Sequence, residues 1–215
     1  MKKKPESRPE RTTYRHGDLR RALIDAGVDL AREGGPGAVV LREATRRAGV
    51  APNAAYRHFA GREDLIRGVR ARALAELALA MEAELAKLKR AKTPAYARAC
   101  VRAVGTGCLE FAQDQPGLYR AAFTIGPAGA GDGDPEKLGK SGMNPFQLLG
   151  AALDKLVETG VMAPARRPGA EYLAWSAVHG LALLIIEGPL LGRMTRAQTR
   201  AMGQRLLDMV EKGLA

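Results

Sequence analysis

The segment from Leu41 to Leu65, LREATRRAGVAPNAAYRHFAGREDL, constrains the fold of this 215-residue chain more than any other part of it. Its pattern predicts two short helices around a tight turn, followed by the start of a third helix. Gly49 lies where the turn needs a residue that tolerates left-handed dihedral angles. Pro52 can open the second helix, because the first residue of a helix needs no N–H donor, and Phe59 follows as a core residue. We therefore expect a helix-turn-helix at about residues 40–59.

The order of the residues in this segment resembles the TetR family of bacterial transcriptional regulators. The matching blocks are Gly49-Val50, Tyr56-Arg57-His58-Phe59 and Gly61-Arg62-Glu63-Asp64-Leu65, and the similarity covers about residues 16–77. Ala51 departs from the family pattern, since a capping serine often stands there. The resemblance implies that the second helix of the pair enters a DNA groove.

The resemblance also implies which side chains contact DNA. Arg42 matches a position that contacts a phosphate or a base edge, and an exposed Asn53 can pair with adenine. Tyr56 and His58 match positions that hold backbone phosphates, although packing alone would also explain either residue. Arg62 replaces the usual Lys at a helix N-terminus, where backbone amides favour an anion. The predicted DNA-binding residues are Arg42, Asn53, Ala54, Tyr56, His58 and Arg62.

Positive charge is concentrated in the first third of the chain. Residues 1–72 contain 17 of the 34 Lys and Arg but only 9 of the 23 Asp and Glu, which gives +8 of the formal net charge of +11. A basic module of this kind favours a polyanionic partner, and with a helix-turn-helix that partner is double-stranded DNA. By composition alone, a solvated basic surface explains the charge equally well.

The rest of the pattern predicts an all-α fold. Apolar residues recur at helical spacing from His16 to Arg32, and a long helix runs from Arg62 to about Arg90. The sequence contains no strand-period segment and no internal repeat. Further helices are expected at Pro94–Gln113, Pro116–Ile125, 144–159, 169–187 and 195–213, with a mobile Gly- and Asp-rich loop at 126–142.

The chain offers no constellation of residues for catalysis. It has three histidines, and no His, Cys or Asp cluster has metal-ligand spacing. Cys100 and Cys108 share one predicted helix but are too far apart to bridge, which indicates reduced thiols. No apolar run reaches membrane-spanning length. We therefore expect no enzyme activity, no cofactor or metal, and no membrane partner.

A second motif lies in the C-terminal part of the sequence. Trp175 and His179 are four residues apart, share a helical face and are followed by Gly180. This pattern resembles the C-terminal domain of one TetR subgroup, often called the WHG domain, in which the distal helices surround an effector cavity. His179 would be a polar anchor there, unless it and the aromatic residues are ordinary core. The candidate effector-binding residues are Phe111, Tyr119, Phe123, Met143, Phe146, Leu149, Trp175 and His179.

The last two predicted helices carry more apolar residues than one buried face needs. A helix that is apolar on all sides must be buried, either inside the protomer or against a second copy. The resemblance implies the second arrangement, a four-helix interface between two copies. The candidate dimer residues are Leu181, Leu184, Ile185, Leu206, Met209 and Val210.

Together these patterns predict a homodimeric, cytoplasmic and nucleoid-associated regulator in three parts. Residues 1–13 would form a flexible basic arm, which follows a DNA minor groove or only aids solubility. Residues 14–77 would form a three-helix DNA-binding domain. The long helix would act as a lever and join it to an effector-binding and dimerisation domain at 78–215. The resemblance implies a repressor that a small hydrophobic molecule releases from a palindromic operator.

Two other classes of function remain open on the sequence alone. One is an α-helical enzyme or ligand carrier with an appended basic module, which would need a cofactor or a turnover that no residue cluster explains. The other is a non-specific architectural DNA-binding protein. Selective binding to a palindrome at moderate salt separates such a protein from a regulator.

Overall fold

The computed structural model describes residues 16–124 and 135–214 of the chain. Within these ranges the chain forms nine α-helices, three short 3-10 helices and no β-strand, so the predicted all-α class is confirmed. The predicted basic arm and the predicted loop up to residue 134 lie outside the described residues. The α-helices are α1 (His16–Gly34), α2 (Leu41–Arg47), α3 (Pro52–Ala55), α4 (Arg62–Ala86), α5 (Pro94–Asp114), α6 (Pro116–Ala122), α7 (Pro145–Glu158), α8 (Ala170–Ile186) and α9 (Arg196–Leu214).

Prolines and polar caps set where several helices begin. Four helices open with a proline at a position that needs no N–H donor, and these are Pro52, Pro94, Pro116 and Pro145. At the start of α7, Asn144 and Gln147 exchange side chain to backbone hydrogen bonds of 2.9 Å in a capping box. The predicted ends are less accurate. α4 stops at Ala86, because the chain then tightens so that the N–H of Leu88 donates to the carbonyl oxygen of Leu85 at 3.1 Å.

One continuous hydrophobic core joins the N-terminal and distal helices. Leu23 of α1, Phe59 after α3 and Leu65 of α4 are all buried in this core. Further along α4, Leu77 and Met81 are buried in the same core among the distal helices. The long helix therefore contributes to the packing of both parts of the chain, which fits its predicted place between them.

α6 is packed tightly against the N-terminal helices. At Gly117 a Cβ atom would stand only 2.1 Å from the carbonyl oxygen of Ala31 in α1. Arg70 of α4 also donates from Nε to the carbonyl oxygen of Ala122, at 3.1 Å. Because the backbones approach this closely, α6 has little freedom to move without displacing α1 or α4.

The segment 135–142 is fixed to α4 by one carboxylate. Glu82 accepts hydrogen bonds from the backbone N–H groups of Lys140 and Ser141, both at 2.9 Å. Glu136 forms an ion pair of 3.0 Å with Arg20 of α1. The prediction of a mobile loop is therefore wrong for this part of it, because backbone donors that a free loop would leave to water are bound by Glu82.

The described residues contain neither a helix that could cross a membrane nor a cluster of metal-ligating side chains. None of their helices combines the length and apolar character needed to cross a membrane. Across the same residues, no group of three or more His, Cys, Asp and Glu side chains is placed to hold a metal ion.

Candidate functional site

The helix-turn-helix forms where the sequence predicts it. α2 and α3 are joined by a turn in which Gly49 has a left-handed φ of 67°. The turn is closed by the N–H of Val50, which donates to the carbonyl oxygen of Thr45 at 3.0 Å. Thr45 is buried, and its hydroxyl donates to the carbonyl oxygen of Arg42 at 2.7 Å. This polar residue therefore has its hydrogen bond inside the unit and does not weaken the packing of α2.

The helix predicted to enter DNA, α3, is shorter than the sequence suggests. It ends at Ala55, and Tyr56 and His58 lie in the tighter turn that follows. The N–H groups of His58 and Phe59 both donate to the carbonyl oxygen of Ala55, at 2.9 and 3.0 Å. This turn buries Phe59, which is 1% exposed, and leaves Tyr56 64% exposed. The helix-turn-helix predicted at about residues 40–59 therefore has a shorter second helix than expected, because the chain tightens after Ala55 as Phe59 enters the core.

Four polar side chains of this unit are exposed and unpaired. Arg42 at the start of α2, Asn53 in α3, and Tyr56 and Arg57 after α3 are all exposed to solvent. None of the four makes a hydrogen bond or ion pair with another residue of the described ranges. Their donors are consequently accessible to phosphate oxygens and base edges, the groups that DNA presents.

Two other arginines of the unit are paired within the chain. Arg46 forms an ion pair of 2.6 Å with Glu43, and Arg47 forms one of 2.6 Å with Glu33 of α1. The hydrogen bond from Arg46 lowers the pKa of Glu43, which keeps this carboxylate charged. The positive charge of these arginines is therefore largely balanced, and the unpaired arginines named above carry the accessible charge.

The remaining predicted DNA contacts are less accessible. Ala54 and His58 are half-buried. Arg62 is exposed, but its guanidinium donates to the carbonyl oxygens of Val39 and Pro36, both at 2.8 Å. These bonds fasten the segment before α2 to the first turn of α4. A contact of these three residues with DNA stays a prediction.

A cavity lies in the distal part of the protein, among α4, α5, α7, α8 and α9. Its volume, including its opening to solvent, is about 360 Å³. None of the described side chains along its wall is charged. The lining residues are Met81, Val101, Val104, Gly105, Cys108, Leu149, Ala174, Trp175, Val178, His179, Leu207 and Val210.

The sequence anticipated three of these lining residues. Leu149, Trp175 and His179 line the cavity. Phe111 and Met143 do not, because Phe111 is buried in the hydrophobic core and Met143 packs against that core from the segment before α7. The other lining residues are mostly small and aliphatic types that fill any helical core. Nothing in the sequence pattern distinguishes them from ordinary packing residues.

The other predicted effector residues form an aromatic layer behind the cavity wall. The ring centroid of Phe123 lies 5.3 Å from that of Trp175 and 4.6 Å from that of His179, in edge-to-face arrangements. Phe146 lies 6.2 Å from Trp175, and the buried ring of Tyr119 lies 4.8 Å from Phe123. These three residues support the two aromatic rings at the wall and do not line the cavity themselves.

His179 has a hydrogen-bonding partner that the sequence did not reveal. Its Nδ1 lies 2.8 Å from the phenol oxygen of Tyr119, which in turn lies 3.7 Å from the sulfur of Cys108. Burial lowers the pKa of His179, although the nearby Glu187 carboxylate acts in the opposite direction. Burial also raises the pKa of the Cys108 thiol to about 12. At neutral pH the three side chains therefore form an uncharged hydrogen-bonded chain.

Three of the predicted dimer residues belong to the core of the protomer. Leu181 and Ile185 of α8 and Val210 of α9 are buried within the single chain, and Val210 also lines the cavity. The structure therefore places these three in the packing of the protomer itself, the alternative that the sequence had left open.

The other three predicted dimer residues lie toward the outside of α8 and α9. Leu184 is 44% exposed and Met209 is 61% exposed, while Leu206 is half-buried. On α8, Leu184 continues a strip that begins at Leu173 and passes through Gly180, at helical spacing. A Cβ atom at Gly180 would meet nothing within 4 Å, so this strip is open on its outer side.

Two protein-family models match the chain. The model of bacterial regulatory proteins of the tetR family matches residues 23–69, and that of the tetracyclin repressor-like C-terminal domain matches residues 101–210. The second match alone spans just over half of the chain. The chain belongs to the TetR family. The first matched range contains the whole helix-turn-helix, and the second contains most of the residues that line the cavity.

Solved structures share the TetR fold of this chain. A protein of unknown function from Rhodococcus sp. RHA1 is 22% identical at a TM-score of 0.72, over 95% of this chain and 100% of that one. A TetR transcriptional regulator from the same source is 20% identical at a TM-score of 0.54, over 91% and 97% of the two chains. The TetR-family regulator PfmR from Thermus thermophilus is 16% identical at a TM-score of 0.55, over 90% and 98%. No curated protein sequence matches the chain.

Membership in the TetR family makes this chain a DNA-binding transcriptional regulator. The family that the sequence resembled and the class of function it implied are thereby confirmed. Regulators of this family are in general dimeric, ligand-responsive proteins rather than enzymes. Which residues of this chain contact DNA, an effector or a second copy stays a matter of prediction.

The exposed and unpaired Tyr56 and Asn53 give a test of the DNA surface. Tyr56→Phe should weaken operator binding by about 1 kcal/mol, because it removes one phosphate hydrogen bond and keeps the ring. Asn53→Ala should instead relax the preference at one base pair of each half-site, by roughly 1–3 kcal/mol. Both effects can be measured by titrating duplexes that the wild-type protein has selected from random DNA, at one fixed salt concentration.

Tyr172→Phe is the matched control for this experiment. Tyr172 is 70% exposed, close to the exposure of Tyr56, but it lies on α8. The control variant should bind the same duplexes as tightly as the wild type. If the Tyr56 and Asn53 variants also kept the affinity and selectivity of the wild type, the assignment of α3 and its following turn to the DNA surface would be contradicted.

Proposed function

We propose that this TetR-family regulator is a homodimeric repressor that leaves a palindromic operator when a small, mostly apolar molecule occupies the distal cavity. The position of α6 carries the proposal. Tyr119 of α6 is hydrogen-bonded to His179 at the cavity wall, while Gly117 of the same short helix packs directly on Ala31 of α1. A displacement of the cavity wall is thereby passed to the first helix of the DNA-binding part.

The positions of the exposed polar side chains, the cavity and the outward strips divide the chain into a DNA-binding part and an effector-binding part. DNA reading is assigned to residues 14–77, since the unpaired Arg42, Asn53 and Tyr56 belong to this part. Effector binding and dimerisation are assigned to residues 78–215, which contain all of the described lining residues of the cavity and the outward strips of α8 and α9. As a partner of operator DNA, the protein works in the cytoplasm in association with the nucleoid.

The size and chemistry of the cavity support a ligand-driven switch. Part of the cavity volume of about 360 Å³ is its opening to solvent, so a molecule much larger than water must push the lining helices apart. The occupied and unoccupied states then differ in shape, which is the condition for an effector to shift DNA affinity. The apolar wall favours an apolar effector, because a charged one would lose hydration without gaining a partner.

The dimer is assigned to the outward strips of α8 and α9. Leu173, Gly180 and Leu184 lie along one side of α8, and Leu206 and Met209 lie along α9, all of them exposed or half-buried in the single chain. Pairing these strips with those of a second copy gives a four-helix interface with two-fold symmetry. With this symmetry the helix-turn-helix motifs of the two copies should lie about one DNA turn or slightly more apart, roughly 34 Å or above.

Leu184→Glu tests the dimer directly. The buried carboxylate would have no partner in an apolar interface, so the variant should sediment as a monomer at micromolar concentration, where the wild type sediments as a dimer. Leu79→Glu is the matched control, because Leu79 is a partly exposed leucine of α4 that lies outside both strips. A monomeric wild type, or equal dissociation in both variants, would contradict the proposed interface.

The release mechanism can be tested before any effector is known. Ala174→Leu adds three carbon atoms to the cavity wall and so imitates occupancy by a small apolar molecule. The variant should bind the selected operator about fivefold to a hundredfold more weakly than the wild type, the range expected for an allosteric coupling. Fluorescence anisotropy with labelled operator measures this change.

Ala182→Leu controls for simple overpacking. Ala182 is equally buried on α8 but does not line the cavity, so the same three carbon atoms should lower thermal stability without weakening operator binding of the folded protein. Equal operator affinities for the two variants would contradict a coupling between occupancy of the cavity and DNA binding. Tighter binding by the Ala174 variant would instead reverse the sign of regulation and overturn the repressor proposal.

A further inference from the structure

The hydrogen bonds among Cys108, Tyr119 and His179, of which Cys108 and His179 line the cavity, allow the protons of these three side chains to be assigned. The phenol oxygen of Tyr119 lies between Nδ1 of His179, at 2.8 Å, and the sulfur of Cys108, at 3.7 Å. A phenol has a single proton to donate. Tyr119 therefore donates either to the imidazole nitrogen or to the sulfur, and these two arrangements leave different tautomers of His179.

Donor and acceptor strengths decide between the two arrangements. A neutral imidazole nitrogen is a strong acceptor, whereas a thiol is a weak acceptor and a weak donor. The phenol therefore gives its proton to Nδ1 across the shorter distance, and the Cys108 S–H turns toward the phenol oxygen. Burial keeps both ends of the chain uncharged, since it lowers the pKa of His179 and raises the pKa of Cys108 to about 12. The ring proton of His179 is then on Nε2.

The Nε2–H of His179 has no partner in the part of the chain that the structure describes. The only side-chain hydrogen bond of His179 with these residues is the one between Nδ1 and the phenol of Tyr119. His179 lines the cavity together with Cys108, and the rest of the wall is apolar apart from the indole N–H of Trp175. Because the other lining side chains offer no strong acceptor, this N–H is left to water or to a polar atom of a molecule that fills the cavity.

Building on the proposed effector function, we propose that the cavity takes an uncharged, mainly apolar molecule with a carbonyl-type oxygen that accepts a hydrogen bond from Nε2 of His179. Ketones, esters and quinones have this chemistry. The ring of Trp175, whose centroid is 6.4 Å from that of His179 at an interplanar angle of 27°, offers a flat apolar surface beside the donor. A carboxylate would also accept the bond, but the described cavity wall holds no cation to offset its lost hydration.

This assignment also links the polar group of the ligand to α6. An acceptor bonded to Nε2 positions the imidazole, and the imidazole holds Tyr119 through Nδ1. A purely apolar molecule of the same shape would fill the cavity without engaging this chain. The carbonyl oxygen therefore provides selectivity among molecules that the apolar wall alone would accept equally.

The tautomer of His179 can be read without any ligand. In nitrogen-15 NMR spectra of histidine-labelled wild-type dimer near neutral pH, His179 should show a protonated Nε2 and an unprotonated Nδ1. Tyr119→Phe should produce a mixture of tautomers, because the ring at position 119 is kept while the proton donor to Nδ1 is lost. A wild-type spectrum with the proton on Nδ1, or with a charged imidazole, would overturn the proposal.

Ligand chemistry can be tested with two probes of nearly the same shape, acetophenone and α-methylstyrene, which differ by a carbonyl oxygen in place of a methylene group. Calorimetry should show that His179→Phe weakens acetophenone binding roughly tenfold, the effect of one lost hydrogen bond, and changes α-methylstyrene binding less than about twofold. Retained α-methylstyrene binding also shows that the variant is folded and keeps its cavity.

Each other outcome of the probe experiment counts against the proposed ligand class. An equal loss of both probes would mean that His179 only shapes the cavity, and failure of the wild type to bind either probe would mean that molecules of this class do not enter it. Operator binding by the same samples, together with the Ala174→Leu variant, reports on the regulator function separately. The probe experiment can therefore contradict the proposed ligand class without contradicting the repressor function, and the operator measurements can contradict the repressor function without contradicting the ligand class.

Discussion

The close packing of α6 on α1 is the contact on which the proposed coupling between the cavity and the DNA-binding helices depends. Only a glycine at position 117 lets the backbone of α6 reach the carbonyl oxygen of Ala31. Arg120 of the same helix extends the contact, because its guanidinium lies beside Gly35, directly after α1, and 4.0 Å from the carboxylate of Glu187, directly after α8. A rigid joint of this kind transmits small displacements, since packed interfaces shift between discrete arrangements rather than deform smoothly.

The helix-turn-helix could be predicted largely from the sequence, because the conformations of single backbone positions determine where its helices begin and turn. Gly49 has the left-handed conformation that its position in the turn required, and Pro52 opens α3. Tertiary contacts decided what the sequence did not reveal. The burial of Phe59 shortened α3, and the carbonyl oxygens of Pro36 and Val39 before α2 accept hydrogen bonds from the guanidinium of Arg62, which no sequence pattern indicates. Segment 135–142 was likewise fixed by Glu82, a residue distant in sequence.

The residues that line the distal cavity could be predicted only in part, because tertiary contacts decide which side chains reach it. Trp175 and His179 are neighbours on one helix, so spacing alone could place both at the cavity wall. The bond from Tyr119 to His179 joins residues sixty positions apart, and no periodicity encodes it. When a helix is apolar on all sides, its sequence does not indicate which side packs against the core of the protomer. Only the structure shows that Leu181 is buried and Leu184 is exposed.

Amide hydrogen exchange tests most directly whether the cavity and α1 are coupled through α6. The comparison is between wild type and Ala174→Leu, both without DNA, with Ala182→Leu as the control for overpacking. If α6 transmits occupancy of the cavity, exchange should change in α6 and in the last turns of α1 around Ala31, as well as in the helices that line the cavity. An exchange difference confined to α5 and α8, with α1 and α6 the same as in the wild type, would contradict this coupling.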